Sequence, residues 1–107
     1  PLNSLLKLQA QSGKIAAICA APAVVLAPLG ILDGQEATCY PGFEKQMDKA
    51  VVRDTPVVAL NRLITANGPS AAQRFALAIV ANSMGESVAQ EVGSAMLFYP
   101  KRMNFYF

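Results

Sequence analysis

Histidine is absent from all 107 residues, and this absence removes more chemistry than any other feature of the chain. A Cys–His dyad, the usual way to activate a thiol nucleophile, cannot be built within the sequence. Peptidase and amidotransferase chemistry loses its customary proton carrier to the leaving amine. A zinc site loses its nitrogen ligands. Cys19 and Cys39 are the only cysteines and show no CxxC spacing, so no metal site is expected. Two cysteines in a chain that is 53% hydrophobic do not form a disulfide scaffold. Reduced thiols and a cytoplasmic location are expected instead.

Charge is scarce as well. Charged residues make up 15% of the chain and the formal net charge is only +2. Arg53, Arg62, Arg74, Lys101 and Arg102 form no dense patch, and no aromatic residues interleave with them, which argues against nucleic acid as a partner. The high aliphatic content excludes disorder and describes one small, core-rich unit. A membrane partner is not expected either. Residues 15–32 are the most apolar stretch, but a spanning helix needs about 20 apolar residues, and Pro22 and Pro28 divide this one. The first residues carry an amphipathic pattern rather than a basic region followed by an apolar block, so no secretory signal is expected in them. Internal repeats and low-complexity segments are lacking.

What is present reads as α/β. Leu2, Leu5, Leu6 and Gln9 share one helical face and Gly13 is a natural stop, which predicts a helix over 3–12. Residues 14–18 are expected to form a strand buried on both faces, because parallel strands covered by helices lose polar alternation. A helix over 21–29 follows, with Pro22 in its first turn, Pro28 as an interruption and Gly30 at its end. Asp33-Gly34 marks a turn. A strand over 36–40 is ended by Pro41-Gly42, followed by one helical turn over 44–48 and a weak strand over 50–52. Segments 56–60 and 63–66 flank Asn61-Arg62 as a hairpin. Ser70 is the expected N-cap of the longest helix, in which Ala72, Phe75, Ala76, Ile79, Val80 and Ser83 recur at helical spacing until Gly85. Val88, Val92 and Ala95 indicate one more helix. Residues 96–99 then lead into an aromatic tail with Tyr99, Phe105, Tyr106 and Phe107.

Candidate chemistry converges on Cys19, where the buried strand gives way to the helix. Orphan backbone N–H groups and the positive end of the helix dipole favour a thiolate at such a turn. The backbone N–H of Ala20 would face an oxyanion formed on attack. Cys39 suggests a resolving thiol for an oxidised Cys19, but strand alternation opposes it: if Tyr40 faces the turn, Cys39 points to the other side of the sheet.

The segment Ala16-Ala17-Ile18-Cys19-Ala20-Ala21-Pro22 resembles the nucleophile elbow of the DJ-one/ThiJ/PfpI superfamily. Gly34-Gln35-Glu36-Ala37-Thr38-Cys39-Tyr40-Pro41-Gly42-Phe43-Glu44 is similar to that family's next strand and loop. Leu63-Ile64-Thr65-Ala66-Asn67-Gly68-Pro69 is similar to its later strand-end motif, and Phe75-Ala76-Leu77-Ala78-Ile79-Val80 to its final long helix. The resemblance spans nearly the whole chain in order. It implies a flavodoxin-like α/β sandwich, as in class I glutamine amidotransferases, with a mostly parallel sheet and helices on both faces. Family domains are close to double this length and place the elbow past their midpoint. Residues 1–107 therefore read as the C-terminal part of a single domain. Its N-terminal half would supply the early strands, a glycine-containing loop and the acidic residue that contacts the thiol. A sheet edge and helix faces that this half would cover are expected to be exposed.

The same resemblance makes Cys19 the nucleophile and Ala20 the oxyanion donor, with Tyr40, Gly68 and Pro69 lining the site. Many members place a histidine where this chain has Tyr40, in Cys39-Tyr40-Pro41, and the departure argues against peptidase or amidotransferase activity. Tyr40 either donates a hydrogen bond in the site or packs at a strand end; Asn67 either binds a polar substrate or takes a turn. Two functional classes follow. The first is a cofactor-independent enzyme acting on a small reactive carbonyl, of glyoxalase or deglycase type. The second is a non-catalytic stress or chaperone-like protein in which Cys19 senses oxidation. A homodimer is implied in either case.

Overall fold

The computed structural model describes residues 1–98. The aromatic tail from Tyr99 onward lies outside them. Helix α1 (Leu2–Ser12) stops at Gly13, whose amide donates to the Gln9 carbonyl. Gly13 is extended, so the helix ends without a left-handed cap. The leucine-rich face divides in two: Leu6 and Ala10 pack against the core, while Leu2, Leu5 and Leu8 are exposed.

Strand β1 (Ile15–Ile18) runs parallel to β5 (Leu63–Ala66), with Ile15 opposite Leu63 and Ile18 opposite Ala66. Strand β4 (Val57–Ala59) pairs antiparallel with β5 across the expected two-residue connection, where the Leu60 amide donates to the Leu63 carbonyl at 2.8 Å. The order β1-β5-β4 makes β5 central, and all four of its residues are buried. Strand β1 corrects the expectation of burial on both faces, since Ile15 is buried but Ala16 is exposed. The reason is unequal cover: Ile15 lies on the main-core face while Ala16 points to the other, and β1 is also an edge strand among the described residues.

The elbow helix that follows winds widely as a π-helix over Pro22–Leu26 and tightens to a 3-10 turn over Ala27–Leu29. Pro28 has no N–H to continue the wider pattern, and Gly30 ends the helix at φ +76°. The strand expected over 36–40 shortens to β2 (Glu36–Ala37), which pairs in parallel with β3 (Val51–Val52). It shortens because the Thr38 amide turns away to the Thr65 hydroxyl, at 3.0 Å. An ion pair joins Arg53 to Glu36 at 2.6 Å across this small sheet. Both side chains are about half exposed, so it contributes little to stability. A 3-10 turn (Glu44–Met47) connects β2 to β3.

Helix α2 (Ala72–Met84) packs on the three-stranded sheet and on α3 (Glu86–Ala95). Ser70 does not cap it. Pro69 instead opens a 3-10 turn over Pro69–Ala71 that holds Ser70 inside, with no side-chain cap on the helix. From α2, the Asn82 amide group donates to the Asn61 carbonyl at 2.9 Å and to the Leu60 carbonyl at 3.3 Å, tying the hairpin turn to the helix. The main core lies on the opposite sheet face. There Ile15 and Leu63 meet Ala23 and Leu26 of the elbow helix together with Leu32, Ala37, Cys39 and Met47. No helix among the described residues is long and apolar enough to cross a membrane.

The end of α3 carries a local strain. Leu97 adopts φ +58°, its amide donates to Ser94 and the Phe98 amide donates to Gly93. This is a Schellman closure with leucine where glycine is favoured, and the side chain is 74% exposed. The left-handed conformation costs a residue bearing a Cβ about 1–2 kcal/mol. Leu97→Gly is therefore expected to raise the urea-unfolding free energy by about 1 kcal/mol. An unchanged or lower midpoint would count against this reading of the cap.

Candidate functional site

Three residues separate the end of β1 from Pro22, and the chain must turn sharply within them. Cys19 takes the turn at φ +68°, in the left-handed region. For a residue with a Cβ that conformation costs about 1–2 kcal/mol, so its surroundings must impose it. They do so from both flanks. The Cys19 amide donates to the Ala66 carbonyl at 2.9 Å, and its carbonyl accepts the Tyr40 amide at 2.8 Å. The Ala20 carbonyl then receives the Ala23 and Val24 amides, which starts the elbow helix. The Ala20 amide itself donates to no backbone carbonyl among the described residues. The thiol is half-buried.

If the elbow is strained as described, Cys19→Gly should relieve it. We expect a gain of about 1 kcal/mol in unfolding free energy, read by chemical denaturation. A loss of stability would show that the thiol's packing outweighs the strain.

Tyr40 stands beside this turn. Its backbone holds Cys19, and its 44%-exposed side chain meets Phe43 edge-on, with ring centroids 6.4 Å apart. The ring also lies over Gly68: a Cβ built there would be 3.5 Å from Tyr40 Cδ1. Gly68 is buried, and exposed Pro69 follows it into the 3-10 turn. Cys19, Tyr40 and Gly68 thus gather at the carboxyl ends of β1 and β5, the end of an open α/β sheet at which ligands bind. Asn67 donates its backbone amide to the Pro56 carbonyl, which fixes the end of the hairpin. A concavity of about 300 Å³, lined in part by Gly30, Asp33, Met47 and Lys49, lies elsewhere, and Cys19 is not in its wall.

The two thiols differ sharply. Cys39 is 4% exposed within the main core, and its thiol donates to the Tyr40 carbonyl at 3.4 Å. Burial pushes its pKa up, and the nearby Glu44 carboxylate adds to the effect. Such a thiol is a small core residue rather than a nucleophile. Strand alternation is not what separates Cys39 from Tyr40: the strand ends at Ala37, residues Ala37, Thr38 and Cys39 are buried in succession, and only Tyr40 is exposed. Sequence reasoning missed the contributions of Thr65 and Ala66. Their strand-end motif drew notice to Gly68 and Pro69, whereas the Ala66 carbonyl and the Thr65 hydroxyl are what meet the elbow and the segment beside it.

Comparison with known proteins bears on this geometry directly. The family model described as "DJ-1/PfpI family" matches residues 1–82. Protein dj-1beta of Drosophila melanogaster is 40% identical over 99 residues, covering 90% of this chain and 52% of its own length. The "Glutathione-independent glyoxalase DJR-1.2" of Caenorhabditis elegans is 42% identical over 82 residues, covering 74% of this chain and 43% of its own. The crystal structure of Drosophila melanogaster DJ-1beta superposes with a TM-score of 0.84 at 39% identity, covering 92% of this chain and 54% of that one. The chain spans about a quarter to a half of the length of curated relatives it matches, from 23% to 52% in two of them. With a family model matched over most of its length and a flavodoxin-like α/β fold shared with solved members, this chain belongs to the DJ-1/PfpI family.

Proposed function

We propose that Cys19 is the nucleophile of a cofactor-independent enzyme acting on small reactive carbonyls in stress protection. The observation that carries the proposal is the left-handed Cys19 backbone, pinned from both sides at the junction of strand and helix. A C. elegans relative named as a glutathione-independent glyoxalase supports the reaction class.

In this reading the Cys19 sulfur, deprotonated, adds to the aldehyde carbon of a 2-ketoaldehyde to form a hemithioacetal. The Ala20 amide stabilises the oxyanion as it develops. A proton then moves from the former aldehyde carbon to the ketone carbon. This internal oxidation and reduction leaves a 2-hydroxy thioester, and water releases the 2-hydroxy acid and frees the thiol. No external oxidant or reductant enters. Tyr40, Gly68 and Pro69 line the rim. The proton carrier is an acidic residue from the N-terminal half of the family domain. A strand of that half would lie along the open flank of β1. Assembly as a homodimer in the cytoplasm, where both thiols stay reduced, completes the proposal.

Methylglyoxal consumption by this chain joined to that half, without glutathione or added metal, is the test. Turnover supports the proposal. A Cys19 that alkylates readily in a protein with no turnover would overturn it and favour the sensor role.

A further inference from the structure

The Cys19 elbow is held by a closed ring of contacts, and one member of that ring is a side chain. Cys19 donates its amide to the Ala66 carbonyl, and the residue before Ala66 is Thr65. The Thr65 hydroxyl accepts the Thr38 amide at 3.0 Å. Two residues beyond Thr38, the Tyr40 amide returns to the Cys19 carbonyl at 2.8 Å. Every other hydrogen bond in this ring joins backbone to backbone. Thr65 is fully buried, with 0% of its surface exposed, and Thr38 is buried beside it.

A hydroxyl in the central strand of a sheet is a costly residue unless it has a partner, since a buried polar group must recover the hydrogen bonds it had with water. Its partner here is the amide that the shortened β2 leaves free. The contact therefore does two things. It satisfies Thr38 where the β2–β3 ladder has ended, and it ties the 38–40 segment to the strand that also holds Cys19.

We infer that Thr65 is a positioning residue for the nucleophile: it anchors the segment through which Tyr40 keeps Cys19 in its left-handed conformation. Resting on the role proposed above for Cys19, the inference adds that β5 controls both flanks of the elbow, one directly through Ala66 and the other indirectly through Thr65. With the anchor lost, the Tyr40–Cys19 bond loosens and the elbow relaxes toward ordinary backbone.

The test compares Thr65→Val, which keeps the shape and removes the acceptor, with Thr65→Ser, which keeps the acceptor. Amide hydrogen exchange on the folded chain reads the coupling without reference to activity. In Thr65→Val, the Thr38 and Tyr40 amides should exchange faster by roughly tenfold or more. The Ile15 amide, bonded to the Arg62 carbonyl at the far end of β1, should keep its protection. Thr65→Ser should restore protection at Tyr40. Faster exchange confined to Thr38, or uniform loss of protection that Thr65→Ser does not reverse, would overturn the inference. Methylglyoxal consumption by the same variants in the assembled protein separates the two ideas. Exchange that responds as expected in a protein whose parent form consumes no methylglyoxal would leave the positioning intact and remove the proposed reaction. A parent that turns over and a Thr65→Val that turns over equally well would remove the positioning role alone.

Discussion

Replacing Leu26 with alanine is expected to destabilise the fold by about 2–5 kcal/mol. Leu26 is 2% exposed, at the centre of the layer between the elbow helix and the sheet. It is among the largest side chains that are fully buried, with Leu32 and Met47. Truncation removes its transfer free energy and leaves a cavity lined by residues that cannot collapse freely. Domains of this size are typically stable by about 5–15 kcal/mol, so the loss is a large fraction of the total. Equilibrium denaturation measures it. A loss below about 1 kcal/mol would mean that the elbow helix is not seated on the sheet as described.

The second large effect is chemical. In the protein assembled with the N-terminal half of the domain, Cys19→Ala is expected to reduce methylglyoxal turnover by roughly three orders of magnitude or more. Removal of a covalent nucleophile leaves only binding and oxyanion stabilisation, and no histidine is present in this chain to recruit water in its place. Cys39→Ala should leave turnover nearly unchanged. Its thiol is buried in the core and kept protonated by that burial, so its loss costs only packing. Turnover that survives Cys19→Ala would assign the chemistry to another group. Turnover that depends equally on both cysteines would point to the resolving-thiol arrangement that the burial of Cys39 in the core argues against.

The features legible in the sequence were those fixed by local chemistry. Pro22 and Gly30 bracketed the elbow helix for opposite reasons, since proline fixes its own φ for a first turn and glycine alone takes the left-handed φ that ends one freely, and Asn61-Arg62 marked the hairpin because its two strands adjoin in sequence. The features that were not legible depend on distant partners. Burial of β1 on both faces depends on distant segments packing over each face, and only Ile15, on the main-core face, is fully covered. Ser70 has the chemistry of a cap, but Pro69 starts the turn one residue earlier and draws it inside. The shortening of the strand over 36–40 and the role of Thr65 both come from one bond between residues 27 positions apart, which no local pattern encodes. The positive φ of Cys19 falls between these cases. Sequence placed the thiol at the turn, but only the Ala66 and Tyr40 contacts explain why a residue with a Cβ stays there.

The central claim is that the fold makes half-buried Cys19 the accessible thiol of the two and Cys39 an inert one. Mild peroxide treatment of the folded protein, followed by intact mass and peptide mapping, tests it most directly, with Cys19→Ser alongside. The account predicts addition of one or two oxygens at Cys19 while Cys39 stays reduced, and no cysteine oxidation in Cys19→Ser. Oxidation of Cys39 at an equal or faster rate, or a Cys19 that resists oxidation in the folded protein, would contradict it.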